Sequence, residues 1–373
     1  MSVFNGFEGL VKNLYSSFYT DLKISPASGK TITLTPQQLA ELRTVKGIKN
    51  FSLVVEEKAL VQNGENQSVI YLKGVDDQYR YVTGVASHVL REHYEASTDF
   101  DLGTEESPRL IVGVGIEGAL GIQADRNIFL LKVYLPRKSN TEQIDMLNDI
   151  SSDTIRTSGA FAIQQDFDNK YGITNIDFVK TALGMDANSF SAVEIALRDP
   201  AQVEKVKEEL QKILGSQYVV ETKYEQNRSL YSVMNMERWV IYGVLSLILV
   251  VAAFNMIGAL TMLVLEKQKD ISVLQALGAN KNFIQKVFLS EGILLGLIGT
   301  IIGMLLALII IILQIKFHLI PLEGGSFLIN YFPVKPRLFD FVLVAATVFV
   351  IALLASWLPS KKAAAQVFSL RSE

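Results

Sequence analysis

The sequence predicts a protein of two parts, an α+β domain outside a membrane and a helical domain that crosses it. Residues 1–237 mix polar and apolar positions, whereas residues 238–358 hold three long apolar runs. Strand and helix patterns alternate before the first run, and basic residues are concentrated on one side of the runs. With 373 residues, the chain is long enough for two or more domains.

The composition excludes several kinds of site. The chain has no cysteine, so disulfides, thiolate metal sites and thiol nucleophiles are ruled out. Its net charge of −3 gives no indication of nucleic-acid binding. The mean hydropathy of +0.28 is high for a soluble protein, as expected for a chain that is partly embedded in a membrane.

The first 20 residues predict an amphipathic helix. Phe4, Phe7, Val11, Leu14 and Phe18 follow one another at steps of three and four, which puts them on one helix face. We interpret this stripe as the outer end of a longer membrane helix. The alternative is a free amphipathic helix at the N-terminus.

Residues 21–224 predict the α+β domain. Alternating and β-branched residues indicate strands at 21–29, 51–61 and 68–75, and again at 190–197 and 218–222. Helices are predicted to begin at Thr35–Pro36 and at Asp199–Pro200, where a capping side chain precedes a proline. Two β-α-β units therefore bracket a middle insertion. Residues 223–238 continue as a helix into the first apolar run.

Three short motifs in this domain imitate nucleotide or metal sites. Residues 113–118 spell G-x-G-x-x-G, but no acidic residue ends a second strand about 20 positions later, which favours a plain turn. The SGKT at residues 28–31 lacks the first glycine of a phosphate loop and has Pro26 within the loop. His88 and His93 are five positions apart, on different helix faces. A membrane-anchored enzyme or nucleotide-binding protein is therefore only an alternative.

The three apolar runs predict membrane spans at about residues 239–265, 287–313 and 338–358. Residues 240–265 are 26 consecutive residues without a charge, and a helix needs about 20 apolar residues to cross a bilayer. The connector after the first span and the C-terminal tail together carry seven Lys and Arg residues, against three in the loop between the second and third spans. Basic short loops face the cytoplasm, so residues 1–237 are predicted to lie outside. Export of this domain without a signal peptide predicts a fourth span upstream of residue 1.

The connector between the first two spans predicts a short helix at about residues 268–278. Asp270 suits a helix N-terminus, Gly278 suits the C-terminal stop, and Asn280 can cap the next helix. Three apolar residues recur at three-residue steps near one face: Ile271, Leu274 and Leu277. The helix folds back on its own spans, lies in the lipid headgroups, or docks on a soluble subunit.

Small and polar residues in the spans predict helix packing. Gly292, Gly296, Gly299 and Gly303 share one face of the second span, and small residues let helices approach closely in lipid. Asn255 lies well inside the first span, where a polar side chain usually faces protein rather than lipid. We expect it to make a hydrogen bond between helices, and a substrate contact is the alternative.

The segment 252–303 resembles the FtsX/MacB-type permeases of ABC transporters, and most closely the lipoprotein-releasing (Lol) permeases of the LolC/LolE family. It carries the pattern E-K-x-x-D-I-x-x-L-x-x-L-G-A, which in that family joins two spans. The ending LPSKKAAAQVFSLRSE, the opening VFNGF and the stretch LIVGVGIEGALGI are also similar to that family. The resemblance implies these ATPase-coupling residues: Glu266, Lys267, Asp270, Ile271, Leu274, Leu277, Gly278 and Ala279.

The resemblance also implies an architecture and a function. Residues 1–20 would end a truncated first span, residues 21–224 would form a MacB-like, porter-like periplasmic domain with an inserted subdomain, and residues 225–373 would form the stalk helix and the transmembrane domain. The chain would be a non-catalytic, multi-pass subunit in the inner membrane of a Gram-negative bacterium. It would bind no cofactor directly, because ATP would be hydrolysed by a partner.

The partners implied are a LolD-like ABC ATPase, a second permease chain, lipoprotein cargo, a LolA-like periplasmic carrier and membrane lipids, with no nucleic acid. The resulting function is ATP-driven mechanical release of lipoproteins from the membrane. The alternatives within the same fold are a MacB-like efflux permease and an FtsX-like regulator of cell-wall hydrolases.

Overall fold

The computed structural model describes residues 1–91, 95–97, 100–126, 128–137, 150–321 and 331–365. They form two compact units. Within the described ranges, the sheet unit comprises residues 11–231, and the helical unit comprises residues 1–10, 232–321 and 331–365. The α+β part and the helical part predicted from the sequence are both present.

The secondary structure of the described residues alternates strands and helices before three long helices. In chain order, the strands are β1 Leu22–Pro26, β2 Ile32–Thr33, β3 Ile48–Asn63, β4 Asn66–Val75, β5 Val89–Arg91, β6 Glu95–Ser97, β7 Arg109–Gly113, β8 Leu130–Pro136, β9 Ile150–Phe161, β10 Tyr171–Asn175, β11 Ser189–Phe190, β12 Ala192–Leu197 and β13 Tyr218–Thr222. The helices are α1 Ser2–Phe18, α2 Pro36–Thr44, α3 Val114–Leu120, α4 Gln165–Asp168, α5 Ile176–Leu183, α6 Val203–Leu214, α7 Lys223–Gln226, α8 Arg228–Glu266, α9 Gln268–Ala276, α10 Lys281–Phe317 and α11 Leu338–Ala364.

Most strands of the sheet unit belong to one mixed sheet. Among the described residues its order is β13-β1-β12-β3-β4-β10-β7-β9-β5-β6, with β8 pairing both β3 and β9, and β2 pairs β11 separately. The pairs β4–β10 and β7–β9 are parallel, and the others are antiparallel. The 16-residue strand β3 joins the two halves of the sheet, because its first part pairs with β12 and its last part with β8.

One apolar core holds this unit together. It joins buried residues of β1, β3, β4 and β12 to buried residues of helices α2, α3, α5 and α6. In α6, for example, Val206, Leu210 and Leu214 are buried at steps of four, while most of the other positions are polar. The amphipathic pattern of this helix therefore decides which face meets the sheet.

The predicted helix starts are confirmed. Thr35 Oγ1 accepts from the Gln38 backbone N–H at 3.2 Å, and Gln38 Oε1 accepts from the Thr35 N–H at 2.9 Å, which is a complete capping box. Asp199 accepts from the Ala201 N–H at 3.0 Å at the start of a short 3₁₀ turn that leads into α6. Local side-chain chemistry alone specifies these boundaries, so the sequence could predict them.

Three helices of the described residues are long and apolar enough to cross a membrane: α8, α10 and α11. Each extends beyond the corresponding predicted span at one or both ends, because polar residues continue the helices past their apolar stretches. Most of their apolar side chains are exposed in the isolated chain, as expected for surfaces that meet lipid or another protein. The further span upstream of residue 1 stays a prediction.

The first turns of α1 pack with α8 and α11 inside the helical unit. Glu8 is buried and pairs with Arg238, and the buried Asn5 side chain donates to the Asp340 carboxylate. The Lys335 N–H donates to the Ser2 carbonyl at 2.9 Å. These polar contacts tie α1 to the beginnings of the first and third candidate spans.

Candidate functional site

Helix α9 is a short connection between α8 and α10 that ends in a glycine turn. Asp270 lies in its first turn, and its carboxylate is 3.1 Å from Lys267 Nζ. After the last turn Gly278 adopts a left-handed conformation with φ of +96°, and the Ala279 N–H donates to the Leu274 carbonyl at 2.9 Å. The positive φ explains why glycine stands there. The helix spans Gln268–Ala276, against the predicted 268–278.

The next helix begins immediately. Asn280 Oδ1 accepts from the Phe283 N–H at 2.8 Å, so the predicted cap is confirmed. With so short a turn, only residues 277–280 separate α9 from α10. The two helices are therefore joined by a short turn and not by a long linker.

Ile271 does not belong to the outer face to which the sequence assigned it. Its side chain is 2% exposed and packs in a cluster with Val264, Ile284, Phe288 and Ala363. Each three-residue step turns about 60° short of a full helix rotation, so Ile271 and Leu277 point about 120° apart. The residue anchors α9 to its own neighbouring helices.

The outer face of α9 is apolar. Val273, Leu274 and Leu277 are 59%, 37% and 80% exposed. The exposed charged residues Glu266, Lys267 and Asp270 lie next to this face in the chain. An exposed apolar patch with a charged rim is typical of a protein interface. Sequence reasoning missed Val273, although its four-residue spacing to Leu277 was a signal for it.

Comparison with known proteins assigns the helical unit. Residues 242–367 match the family described as FtsX-like permease C-terminal. The lipoprotein-releasing system transmembrane protein LolE of Haemophilus influenzae is 25% identical over 99% of this chain and 89% of its own length. The corresponding LolC protein of Xylella fastidiosa is 23% identical over 98% of this chain and 87% of its own length. The chain thus contains an FtsX-like permease domain.

Among solved structures, the periplasmic region of MacB from Actinobacillus actinomycetemcomitans is similar to part of this chain. It is 10% identical, covers 60% of this chain and 98% of its own, and has a TM-score of 0.39.

The glycine-rich motifs of the permease have packing and turn roles. A Cβ at Gly113 would collide with the Asp168 carbonyl, and one at Gly115 would collide with the Asn169 side chain. These glycines let the start of α3 approach the end of α4 closely. Gly29, in the SGKT segment, has φ of +88° in the turn after β1. Among the described residues, no three His, Asp or Glu side chains cluster as a metal site would require, and His93 lies outside those residues.

The four glycines of the second span fall into two pairs. A Cβ at Gly292 would collide with Ser356, and one at Gly296 would lie 2.8 Å from the Ala352 Cβ, so this pair packs against α11. At Gly299 and Gly303 a Cβ would meet nothing within 4 Å. This second pair lines an open groove of about 530 Å³ in the helical unit. The predicted packing face is therefore used by this chain only in part.

Asn255 differs from its prediction. Its side chain is exposed on α8, and it has no hydrogen-bond partner among the described residues. The bond that we expected between helices of this chain is therefore absent from the described structure. Only the packing of the helices could determine that this amide is exposed.

Proposed function

We propose that this permease converts ATP hydrolysis by a separate subunit into mechanical release of lipoproteins from the inner membrane toward a periplasmic carrier. The main observation in support of this proposal is that two proteins named for lipoprotein release align with 98–99% of the chain. The similarity covers the sheet unit as well as the spans. A shared task for both parts is the simplest reason for such coverage.

The ATPase subunit would dock on α9. The exposed side chains of Val273, Leu274 and Leu277 would enter a hydrophobic cleft of that subunit, and the charged residues around them would orient it. The buried side chain of Ile271 would transmit the displacement to α8 and α10. In this arrangement ATP binds only the partner, and the permease needs no cofactor of its own.

The helical unit would pair with a second permease chain. The open groove beside Gly299 and Gly303 and the exposed amide of Asn255 both lie on candidate spans. A polar side chain that faces lipid costs free energy unless it forms a hydrogen bond with another helix. We therefore expect a span of the partner chain next to Asn255. We propose that the sheet unit, porter-like in fold, lies in the periplasm of a Gram-negative bacterium, in agreement with the basic residues of the connector.

Reconstitution tests this function. Proteoliposomes would contain the permease, its co-purified ATPase subunit and a lipidated protein, and a soluble carrier would be added outside. We expect ATP-dependent transfer of the lipidated protein to the carrier, and no transfer of the same protein without its acyl chains. Efflux of a small dye in the absence of lipoprotein transfer would instead assign the permease to drug export.

A further inference from the structure

A pocket of about 410 Å³ lies at one end of the sheet in the sheet unit. It forms where β12 ends and β3 begins, with the end of α2 as another wall. A β-bulge shifts the pairing of β12 with β3 between Ala196 and Leu197, next to this pocket. The extra residue is Lys49 of β3, between the partners of Ala196 and Leu197, and bulges commonly redirect the side chains around them.

Three cations line this pocket. Arg43 comes from the last turn of α2, Lys49 from the start of β3, and Arg198 from the residue after β12. All three side chains are exposed, and none pairs with an acidic side chain among the described residues. Arg198 is held in place because its Nε–H donates to the Ile48 carbonyl at 3.2 Å. Their charge is therefore available to a ligand.

Asp76 offsets only part of the positive charge of this cluster. It is the only carboxylate among the described residues that line the pocket. Its oxygens accept from Ser52 Oγ at 2.6 Å, from the Leu53 N–H at 3.0 Å and from the Gln78 N–H at 3.1 Å. These three bonds tie the Asp76 carboxylate to β3 and to the turn after β4, and the lining keeps an excess of two positive charges.

The remaining lining suits a peptide. Leu39, Phe51 and Leu53 are half-buried and give the pocket an apolar surface. Asn50 Nδ2–H donates to Gln78 Oε1 at 3.2 Å, which leaves Asn50 Oδ1 and Gln78 Nε2 without a partner among the described residues. One free acceptor beside one free donor matches the N–H and C=O of a peptide group.

We propose that this pocket binds an acidic peptide segment of a partner protein, with carboxylates alternating with apolar side chains. The guanidinium groups of Arg43 and Arg198 would bind the carboxylates, and Phe51 would receive the apolar side chain between them. A phospholipid headgroup would satisfy the cations, but it has no peptide group whose N–H and C=O match Asn50 Oδ1 and Gln78 Nε2. The observations therefore favour a peptide over a lipid.

Fluorescence anisotropy of the full chain tests the proposal. The chain would be placed in nanodiscs of zwitterionic lipid, with a labelled short peptide that alternates glutamate and leucine. We expect saturable binding that weakens as salt rises, because partly exposed charge pairs are screened. The same peptide with glutamine in place of glutamate should bind at least about tenfold more weakly.

Variants locate the site. The double variant Arg43→Gln/Arg198→Gln should lose about tenfold in affinity, while Lys132→Gln, an exposed cation on β8, should lose none. The reversal Arg43→Glu/Arg198→Glu should prefer a lysine–leucine peptide, which a merely unfolded variant would not do. Equal binding of the glutamine peptide, unchanged binding by the double variant, or displacement of the peptide by phosphatidylglycerol in the nanodisc would each overturn the proposal.

Discussion

At the scale of single residues, the most consequential contact is a buried ion pair between β4 and β12. Lys73 Nζ lies 2.7 Å from Glu194 Oε1, and the two side chains are 3% and 6% exposed. Burial lowers the pKa of Lys73, but the Glu194 carboxylate raises it, and the pKa ends well above its ordinary value. The rings of Phe18 and Tyr79 lie 5.0 Å from the ammonium. A charged lysine thereby joins the end of α1 to the sheet.

Removal of this ammonium should lower the free energy of unfolding. Lys73→Met leaves the Glu194 carboxylate buried and unpaired, so we expect a loss of about 3–5 kcal/mol in the free energy of unfolding. The matched control is Lys30→Met, because Lys30 is 78% exposed in its pair with Glu57, and it should cost less than about 1 kcal/mol. Urea unfolding of the chain in detergent, followed by circular dichroism, measures both. Equal effects would contradict the importance of burial.

The buried carboxyl of Asp168 should make the stability of the fold depend on pH. Its carboxyl is 8% exposed, and burial raises its pKa from 3.8 to about 6, against the opposing backbone N–H bonds of Ile163 and Gln164 and the charge of His88. The folded chain therefore holds this proton more tightly than the unfolded chain. The contribution of the Asp168 carboxyl to the free energy of unfolding falls as pH rises from about 4 to about 6. It stays lower above that range.

The variant Asp168→Asn should remove this dependence. Its amide oxygen still accepts a backbone N–H but does not titrate, so the stability of the variant should change less between about pH 4 and pH 6 than that of the parent. Urea unfolding across this range, with Asp153→Asn as an exposed control on β9, checks the result. Parallel pH profiles for parent and Asp168→Asn would refute the role of the buried carboxyl.

At the scale of elements, α10 and α11 are held together by small residues. The packing pair Gly292 and Gly296 lies against Ser356 and Ala352, whereas Gly303 faces the open groove. In lipid, close approach is the principal source of attraction between helices. The two glycine pairs should therefore respond differently to the same added methyl group.

We expect Gly292→Ala to destabilise the helical unit by about 1–3 kcal/mol, because Ser356 must move to make room. Gly303→Ala should cause no such loss, since its Cβ meets nothing within 4 Å. The free energies of unfolding of the variants are compared in mixed micelles that contain an increasing fraction of a denaturing detergent. A loss of stability in Gly303→Ala as large as that in Gly292→Ala would argue against the two-pair division.

At the scale of the whole molecule, α9 is the proposed entry point for force. Leu274→Asp should abolish co-purification of the ATPase subunit without loss of membrane insertion, because it places a charge in an apolar contact. Ile213→Asp is the matched control, since Ile213 on α6 is also 37% exposed but lies in the sheet unit. Quantitative pull-down from solubilised membranes measures the outcome. Retention of the subunit by Leu274→Asp would remove α9 as its docking site.

Local chemistry let the sequence determine much of this protein. The capping box at Thr35, the cap at Asn280, the stop at Gly278 and the three apolar runs depend on residues close together in the chain. Such features need no knowledge of what lies opposite them in space. The resemblance to the permease family has the same local character, because residues 252–303 carry it as one continuous segment.

Only the tertiary structure decided which side of each element is used. Ile271 is buried because Val264, Phe288 and Ala363 pack around it, and the spacing within α9 cannot show that these residues are its neighbours. The direction of Asn255 and the division of the glycines also follow from how the helices pack. The basic pocket joins Arg43 to Arg198, which are 155 positions apart in sequence and are brought together only by sheet pairing. Long-range contacts such as these depend on the whole fold.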